Sequence, residues 1–259
     1  MSKAKQTIFA HHALTPAGWL ADQYVSVDAG HIQGLSSTGR ADREADYLVF
    51  GMADVHNHGG MGFDASHPTP EGLAQWTWSL AQHGVTDVLI TLATGDAQGV
   101  QAALSQIAAA MEKQREGKLP GAQIMGVHLE GPFISPKRPG AMNVTMIQPP
   151  SVAAYDALVG DDGALVRLVS LAPEVSGADA LIDALNLRGI RVQAGHTDAS
   201  YEEGVHAFGR GVGAVCHFFN AARSIHHRDP GLLTAALLSP SIYCELICDT
   251  IHIHPAALR

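Results

Sequence analysis

Gly126-Val127-His128-Leu129-Glu130-Gly131-Pro132-Phe133 is a short apolar run that ends abruptly on a carboxylate. Strand side chains two apart point the same way, so His128 and Glu130 share one face while Val127 and Leu129 take the other. Gly131-Pro132 then stops the strand, because proline cannot donate to a ladder, and this fixes Glu130 at the rim. A carboxylate buried at a strand end is costly unless a cation or hydrogen bonds compensate it. A local salt bridge would satisfy Glu130 as well as a metal ion would.

Working outward, the same design recurs. Candidate strands at Met52–His58, Val85–Leu92, Gln123–Glu130, Val166–Leu171, Ile190–His196, Ala214–Phe219 and Ile242–Asp249 alternate with helical patterns such as Glu71–His83, Gln98–Glu116, Ala178–Arg188 and Tyr201–Gly209. That alternation predicts repeated βα units around a parallel sheet. His56 and His58, Glu130, His196, His217 and Asp249 each close an apolar run. A (β/α)8 barrel of roughly 250 residues gathers its functional groups at such strand ends, whereas a doubly wound sheet does so only near its switch point. The expected fold is therefore α/β, a (β/α)8-type TIM barrel over residues 51–259. It looks truncated after strand 7, since Arg259 falls early in what reads as a seventh helix. Residues 1–50, with short alternating pieces such as Trp19–Val27 and His31–Leu35, predict a small β-subdomain that is incomplete without a C-terminal part.

The bulk numbers exclude several functions. A formal net charge of −9 argues against nucleic acid or an acidic membrane as partner, so any anionic ligand needs a local cluster of positive groups. No apolar run of about 18 residues occurs, and the start lacks a secretory h-region, which leads to the expectation of a cytoplasmic protein. Three cysteines, Cys216, Cys244 and Cys248, form no C-x-x-C pair and read as free buried thiols. With fifteen histidines in the chain, a histidine counts only where its position says more.

Position does say more at a few of them. His56 and His58 project together from the end of the first strand. His196 shares a face with Val192 and Ala194, and His217 alternates with Cys216. One strand-end histidine is more often a hydrogen-bonded core residue. Two on successive strands, with Glu130 on an earlier one, make a one-carboxylate, two-imidazole set that leaves a position for water.

The segments VHLEGPFISPKRPGA, AGHTDAS, CHFFNAARSIHHRDPG and ICDTIHIHP resemble, in order, the motifs of N-acetylglucosamine-6-phosphate deacetylases of the amidohydrolase superfamily. The resemblance runs from about Asp54 to Pro255. It implies that Glu130, His196 and His217 bind a catalytic divalent metal. It also implies that His56 and His58 hold a second ion in some members, zinc foremost, with iron, manganese or nickel as alternatives. Asn220 and Ala221 would meet the sugar phosphate, Ala141 would line the sugar pocket through its main chain, and His252 would contact substrate. Arg228 would reach the phosphate bound in the neighbouring subunit of a homodimer.

The implied reaction is deacetylation of N-acetylglucosamine 6-phosphate, or a close N-acetylhexosamine 6-phosphate, by metal-activated water. The family's acid/base aspartate follows an eighth strand and lies beyond Arg259. Asp249 matches a different motif position and is not assigned that role. The chain therefore reads as a fragment of a longer enzyme, with a shortened, non-catalytic metal- or sugar-phosphate-binding protein as the alternative. Met142 and Thr250 depart from the family's usual His and Gly in the sugar pocket, and Phe50-Gly51 departs from a usual Pro-Gly. The first two leave glucosamine and galactosamine open. A dihydroorotase- or dipeptidase-like hydrolase is the rival enzyme.

Overall fold

The computed structural model describes residues 5–259. The chain divides into two compact units, one ending at Met52 and one spanning Ala53–Arg259. Residues 1–4 of the expected β-subdomain lie outside the described residues.

The first unit is a four-stranded sheet of β1 (Gln6–Thr15), β2 (Gly18–Asp28), β3 (His31–Ser36) and β4 (Arg43–Leu48), in the order β3-β2-β1-β4. β1 and β2 form a hairpin, with Gln6 opposite Val27 and Thr15 opposite Gly18, and β4 runs parallel to β1. Gly18 closes the hairpin at φ 110°, a region favourable only to glycine, and the Thr15 hydroxyl donates to its carbonyl at 2.7 Å. Ala10, Ala13 and Val25 are buried.

The second unit is built on a seven-stranded sheet. Its strands are β5 (Met52–Asn57), β8 (Val85–Ala93), β9 (Gln123–Glu130), β10 (Val166–Leu171), β11 (Arg191–Ala194), β12 (Val212–Val215) and β13 (Tyr243–Cys244), hydrogen-bonded in the order β13-β12-β11-β10-β9-β8-β5. The pairs from β8 to β13 are parallel. A two-residue ladder of β6 (Gly59–Gly60) and β7 (Phe63–Asp64) follows β5. Between the strands lie α1 (Pro70–Gln82), α2 (Ala97–Arg115), α3 (Val152–Val159), α4 (Ala178–Leu187), α5 (Tyr201–Gly209) and α6 (Gly231–Leu237). Their starts follow local chemistry. Asp96 accepts from Gly99 N at 2.7 Å to cap α2, and Ser200 with Glu203 forms a reciprocal capping box on α5. Val100, Ala103, Leu104, Ile107 and Ala110 recur at helical spacing and bury one face of α2.

The sheet is curled, and the site itself shows it. Strands lie about 4.8 Å apart, so in a flat sheet β5 and β13 would be about 29 Å from each other. Yet His56 Nδ1 on β5 lies 3.0 Å from Glu245 Oε2, one residue past β13. The seven expected strands are present in parallel order, the architecture of a TIM barrel stopped after strand 7.

Four strand ends at the site differ from expectation, the first being β5, which stops at Asn57 and leaves His58 just outside it. β11 stops at Ala194 and β12 at Val215, so His196 and His217 stand just beyond their strands. Their φ angles are 49° and 27°, which an alternating strand face cannot provide. The last strand is two residues long. Asp249 lies in a turn beyond it, accepting from Ile251 N and His252 N at 2.9 and 2.8 Å, and is not a strand-end group. Residues 251–259 form turns where a seventh helix was expected. Among the described residues no helix is long and apolar enough to cross a membrane.

Candidate metal centre

Glu130 ends β9 almost wholly buried, and Gly131 holds the turn behind it at φ 81°. A Cβ on Gly131 would come within 2.1 Å of Thr94 Oγ1, so only glycine fits. Around the carboxylate, His217 Nε2 and His196 Nε2 lie 2.9 and 3.1 Å from Oε1, His58 Nε2 lies 2.9 Å from Oε2, and His56 Nε2 lies 3.5 Å from Oε1. The structure thus brings together all five residues expected to bind metal. His196 and His217 are buried, His56 is partly buried, and the His58 side chain is 45% exposed, which leaves an opening to solvent.

The far sides of the rings are also held. Nδ1 of His196 donates to Arg138 O at 3.1 Å, and Nδ1 of His217 donates to Asn220 O at 3.0 Å. A carbonyl can only accept, so these nitrogens carry the protons. Two neutral imidazoles would then aim Nε2 lone pairs at one carboxylate oxygen, and at each other across 3.1 Å. That arrangement is repulsive unless a proton or a cation sits in the middle. One carboxylate and two histidines with Nε2 forward are the donor set a divalent ion requires. Glu130, His196 and His217 therefore fit a metal ion.

The electrostatics follow. Burial opposes ionisation of Glu130, but hydrogen bonds from His196, His217, His56 and His58 hold its carboxyl well below the usual carboxylate range. Burial also works against charge on His56, which contacts with Cys216, Glu130 and Glu245 nevertheless push up to about 12. His217 is pushed up to about 10 by Cys216 and Glu130 against the same opposition. His128, on the same face as Glu130 but deeper, behaves oppositely. Complete burial, with His56 beside it, keeps it neutral, held by Ser170 Oγ at 2.7 Å and Thr91 Oγ1 at 3.1 Å.

Strain concentrates here. His196, His217, Phe219 and Ala221 all have positive φ without being glycine, each costing about 1–3 kcal/mol, a pattern typical of functional loops. Ala221 O accepts from Thr197 N at 3.1 Å, which ties the loop after β12 to the loop after β11. Asn220 Oδ1 is buried without a hydrogen-bond partner among the described residues. Gly140 lies against the ligand loops, where a Cβ would meet His196 Cε1 at 3.1 Å and Ala221 Cβ at 3.2 Å, and the next residue, Ala141, is exposed. Arg228 and His252 are not drawn into the cluster by any hydrogen bond or ion pair among the described residues. Arg228 is exposed in the turn His226–Asp229, and His252 Nδ1 pairs with Asp249 Oδ2 at 2.6 Å. Thr250 takes φ 64° in the position where the resemblance expects glycine.

Sequence reasoning missed Glu245. Its Oε2 receives the Nδ1 proton of His56 at 3.0 Å, and its backbone is pinned by donation to Val215 O and acceptance from Phe218 N.

A curled parallel βα sheet with imidazoles gathered around a buried carboxylate just past its strands resembles the sites of the amidohydrolase class. No family model matches the chain. It is 34% identical over 251 residues to an N-acetylgalactosamine-6-phosphate deacetylase of Escherichia coli O157:H7, covering 96% of this chain and 66% of that protein. It is also 34% identical over 257 residues to an N-acetylglucosamine-6-phosphate deacetylase of Vibrio furnissii, covering 96% and 63%. Among solved structures, a mutant N-acetyl-D-glucosamine-6-phosphate deacetylase of Mycobacterium smegmatis in complex with N-acetyl-D-glucosamine-6-phosphate superposes with a TM-score of 0.88 at 30% identity, covering 98% of this chain and 66% of that one. The chain belongs to the N-acetylglucosamine-6-phosphate deacetylase family. It spans slightly less than two thirds of the length of these relatives.

Proposed function

We propose that the whole protein deacetylates N-acetylglucosamine 6-phosphate, or a close N-acetylhexosamine 6-phosphate, to the amino sugar phosphate and acetate. The observation that carries this reading is the convergence of Nε2 of His196 and His217 on a single oxygen of buried Glu130. Glu130, His196 and His217 would hold a divalent ion, zinc foremost, which when bound would supply a water of pKa lowered from about 15.7 toward 7 and a Lewis acid for the acetyl carbonyl. Glu130 supplies the negative charge that retains the ion. Arg138 O and Asn220 O fix the two imidazoles with Nε2 forward.

In this reading Asn220 and Ala221 meet the sugar phosphate and Ala141 lines the sugar, a role for Asn220 supported by its buried Oδ1 without a partner among the described residues. His252, oriented by Asp249, contacts the substrate in this reading. Arg228 serves the neighbouring site of a homodimer, since a phosphate needs charge-assisted donors that an acidic chain otherwise lacks. The leaving amine must gain a proton before it departs, a step assigned here to no residue of the chain. The reaction is placed in the cytoplasm.

Acetate release by the whole protein, assayed with N-acetylglucosamine 6-phosphate and its galactosamine counterpart, tests the proposal. Release that depends on added Zn2+ supports it. Metal-loaded protein that releases no acetate from either sugar overturns it.

A further inference from the structure

Asp198 lies two residues past His196, in the loop after β11, and both oxygens of its carboxylate are taken by cations from other loops. Its Oδ1 accepts from Arg138 Nε at 3.0 Å and lies 2.9 Å from Arg138 Nη2, in the loop after β9. Its Oδ2 accepts from Arg223 Nη2 at 3.2 Å, in the loop after β12, and from Lys137 Nζ at 3.4 Å. The Asp198 side chain is 13% exposed and Lys137 is largely exposed, so the two arginines carry the weight of the cluster. Beneath the carboxylate the main chain is a fixed post: Asp198 N and Thr197 Oγ1 each donate to Glu174 at 2.6 Å, from the loop after β10.

Arg138 also touches the centre, through its main chain. His196 Nδ1 donates to Arg138 O, while Ser135 N donates to His196 O at 2.9 Å and Arg138 N to Ser135 O at 3.0 Å. No other carboxylate among the described residues pairs with Arg138. The guanidinium tie to Asp198 is therefore the side-chain anchor of the carbonyl that receives the His196 proton.

We propose that Asp198 is a positioning residue for the metal centre: by anchoring Arg138 it keeps Arg138 O in place to take the Nδ1 proton of His196, leaving Nε2 unprotonated. The inference rests on the reading of Glu130, His196 and His217 as the metal position. A competing tautomer is at hand. With Arg138 O withdrawn, the proton moves to Nε2, where Glu130 Oε1 at 3.1 Å accepts it, and that nitrogen no longer ligates. An ion pair that only stiffened the loops would change stability and leave metal affinity alone.

Titration of the metal-free whole protein with Co2+, followed by calorimetry, separates the two roles. Asp198→Ala and Arg138→Ala should each weaken Co2+ binding about 10–100-fold. The double variant should lose no more than the larger single loss, because both substitutions cut one tie. Asp156→Ala breaks the Arg188 ion pair between α3 and the end of α4 and should leave Co2+ affinity unchanged. Wild-type affinity in Asp198→Ala, additive losses in the double variant, or an equal loss in Asp156→Ala overturns the proposal while the metal position stands. Should Asp198→Ala fail to fold, Arg138→Ala decides alone, with retained affinity overturning the proposal. A wild type that binds no Co2+ sinks the metal position and the proposal together.

Discussion

Glu130 is the residue on which the centre turns, because four imidazole nitrogens approach its two oxygens within 3.5 Å. Glu130→Gln keeps the shape and removes the charge. Substitutions in the shell outside the ligands already weaken metal binding about 10–100-fold, so loss of this ligand should exceed that range. Metal content after dialysis, which should fall to background while circular dichroism stays unchanged, is the measurement. Glu130 could be read from sequence because an acid closing an apolar strand stands out. His196 and His217 were legible as strand-end histidines, but their positive φ carries no sequence signal: neither is Gly or Asn, and only the surrounding loops impose it. Glu245 left one trace, a lone acid inside the apolar run Tyr243–Cys248, and a strand expected to continue to Asp249 concealed that it sits at the strand's end.

At the scale of elements, long periodic segments were readable and short ones were not. The strand over Gln123–Glu130 and the helix over Tyr201–Gly209 coincide with the structure, which shows a capping box of Ser200 and Glu203 starting the helix. The eight-residue α3 and seven-residue α6 are too short for periodicity to separate them from loops, and tertiary packing decides them. In α3, Tyr155 is buried with Arg188 over its ring at 5.6 Å, and its hydroxyl finds no partner among the described residues. Tyr155→Phe removes an unsatisfied group and should leave stability unchanged or raise it by about 1 kcal/mol in urea unfolding. Burial pushes this phenol up to about 12, above an unfolded value of about 10. A raised folded value means the contribution is intact below about pH 10 and is lost as pH climbs toward 12. The phenylalanine variant should show no such loss across that window. Gly131→Ala tests the turn after β9. With φ at 81° and Thr94 Oγ1 in the way, it should cost at least about 1–3 kcal/mol by the same measurement and weaken metal retention with it.

For the molecule as a whole, the order of the βα units was legible because each unit repeats a period that local chemistry sets. The first unit was less so. β1 interrupts its apolar positions with His11-His12, and β4 is largely polar, so half of its strands gave no clear alternation. A divalent ion bound only by the native state would stabilise it by about 2.7 kcal/mol at a free concentration one hundred times Kd. Chelation should therefore lower the unfolding temperature, and the Glu130→Gln variant should show no change on adding chelator.

The contact between His56 and Glu245 joins the two outermost strands of the seven, residues 189 positions apart in sequence. It acts as the string of a bow, a short chord whose tension keeps a long arc bent. An ion held at Glu130 would then be a girder as well as a reagent, because the side chains that surround that carboxylate come from β5, from the loop after β11 and from the loop after β12. Emptying the centre should slacken the arc from its tips inward, with amide exchange quickening first in β5 and β13 and last in β9 and β10. Uniform quickening across the sheet would show that the bow keeps its bend unstrung.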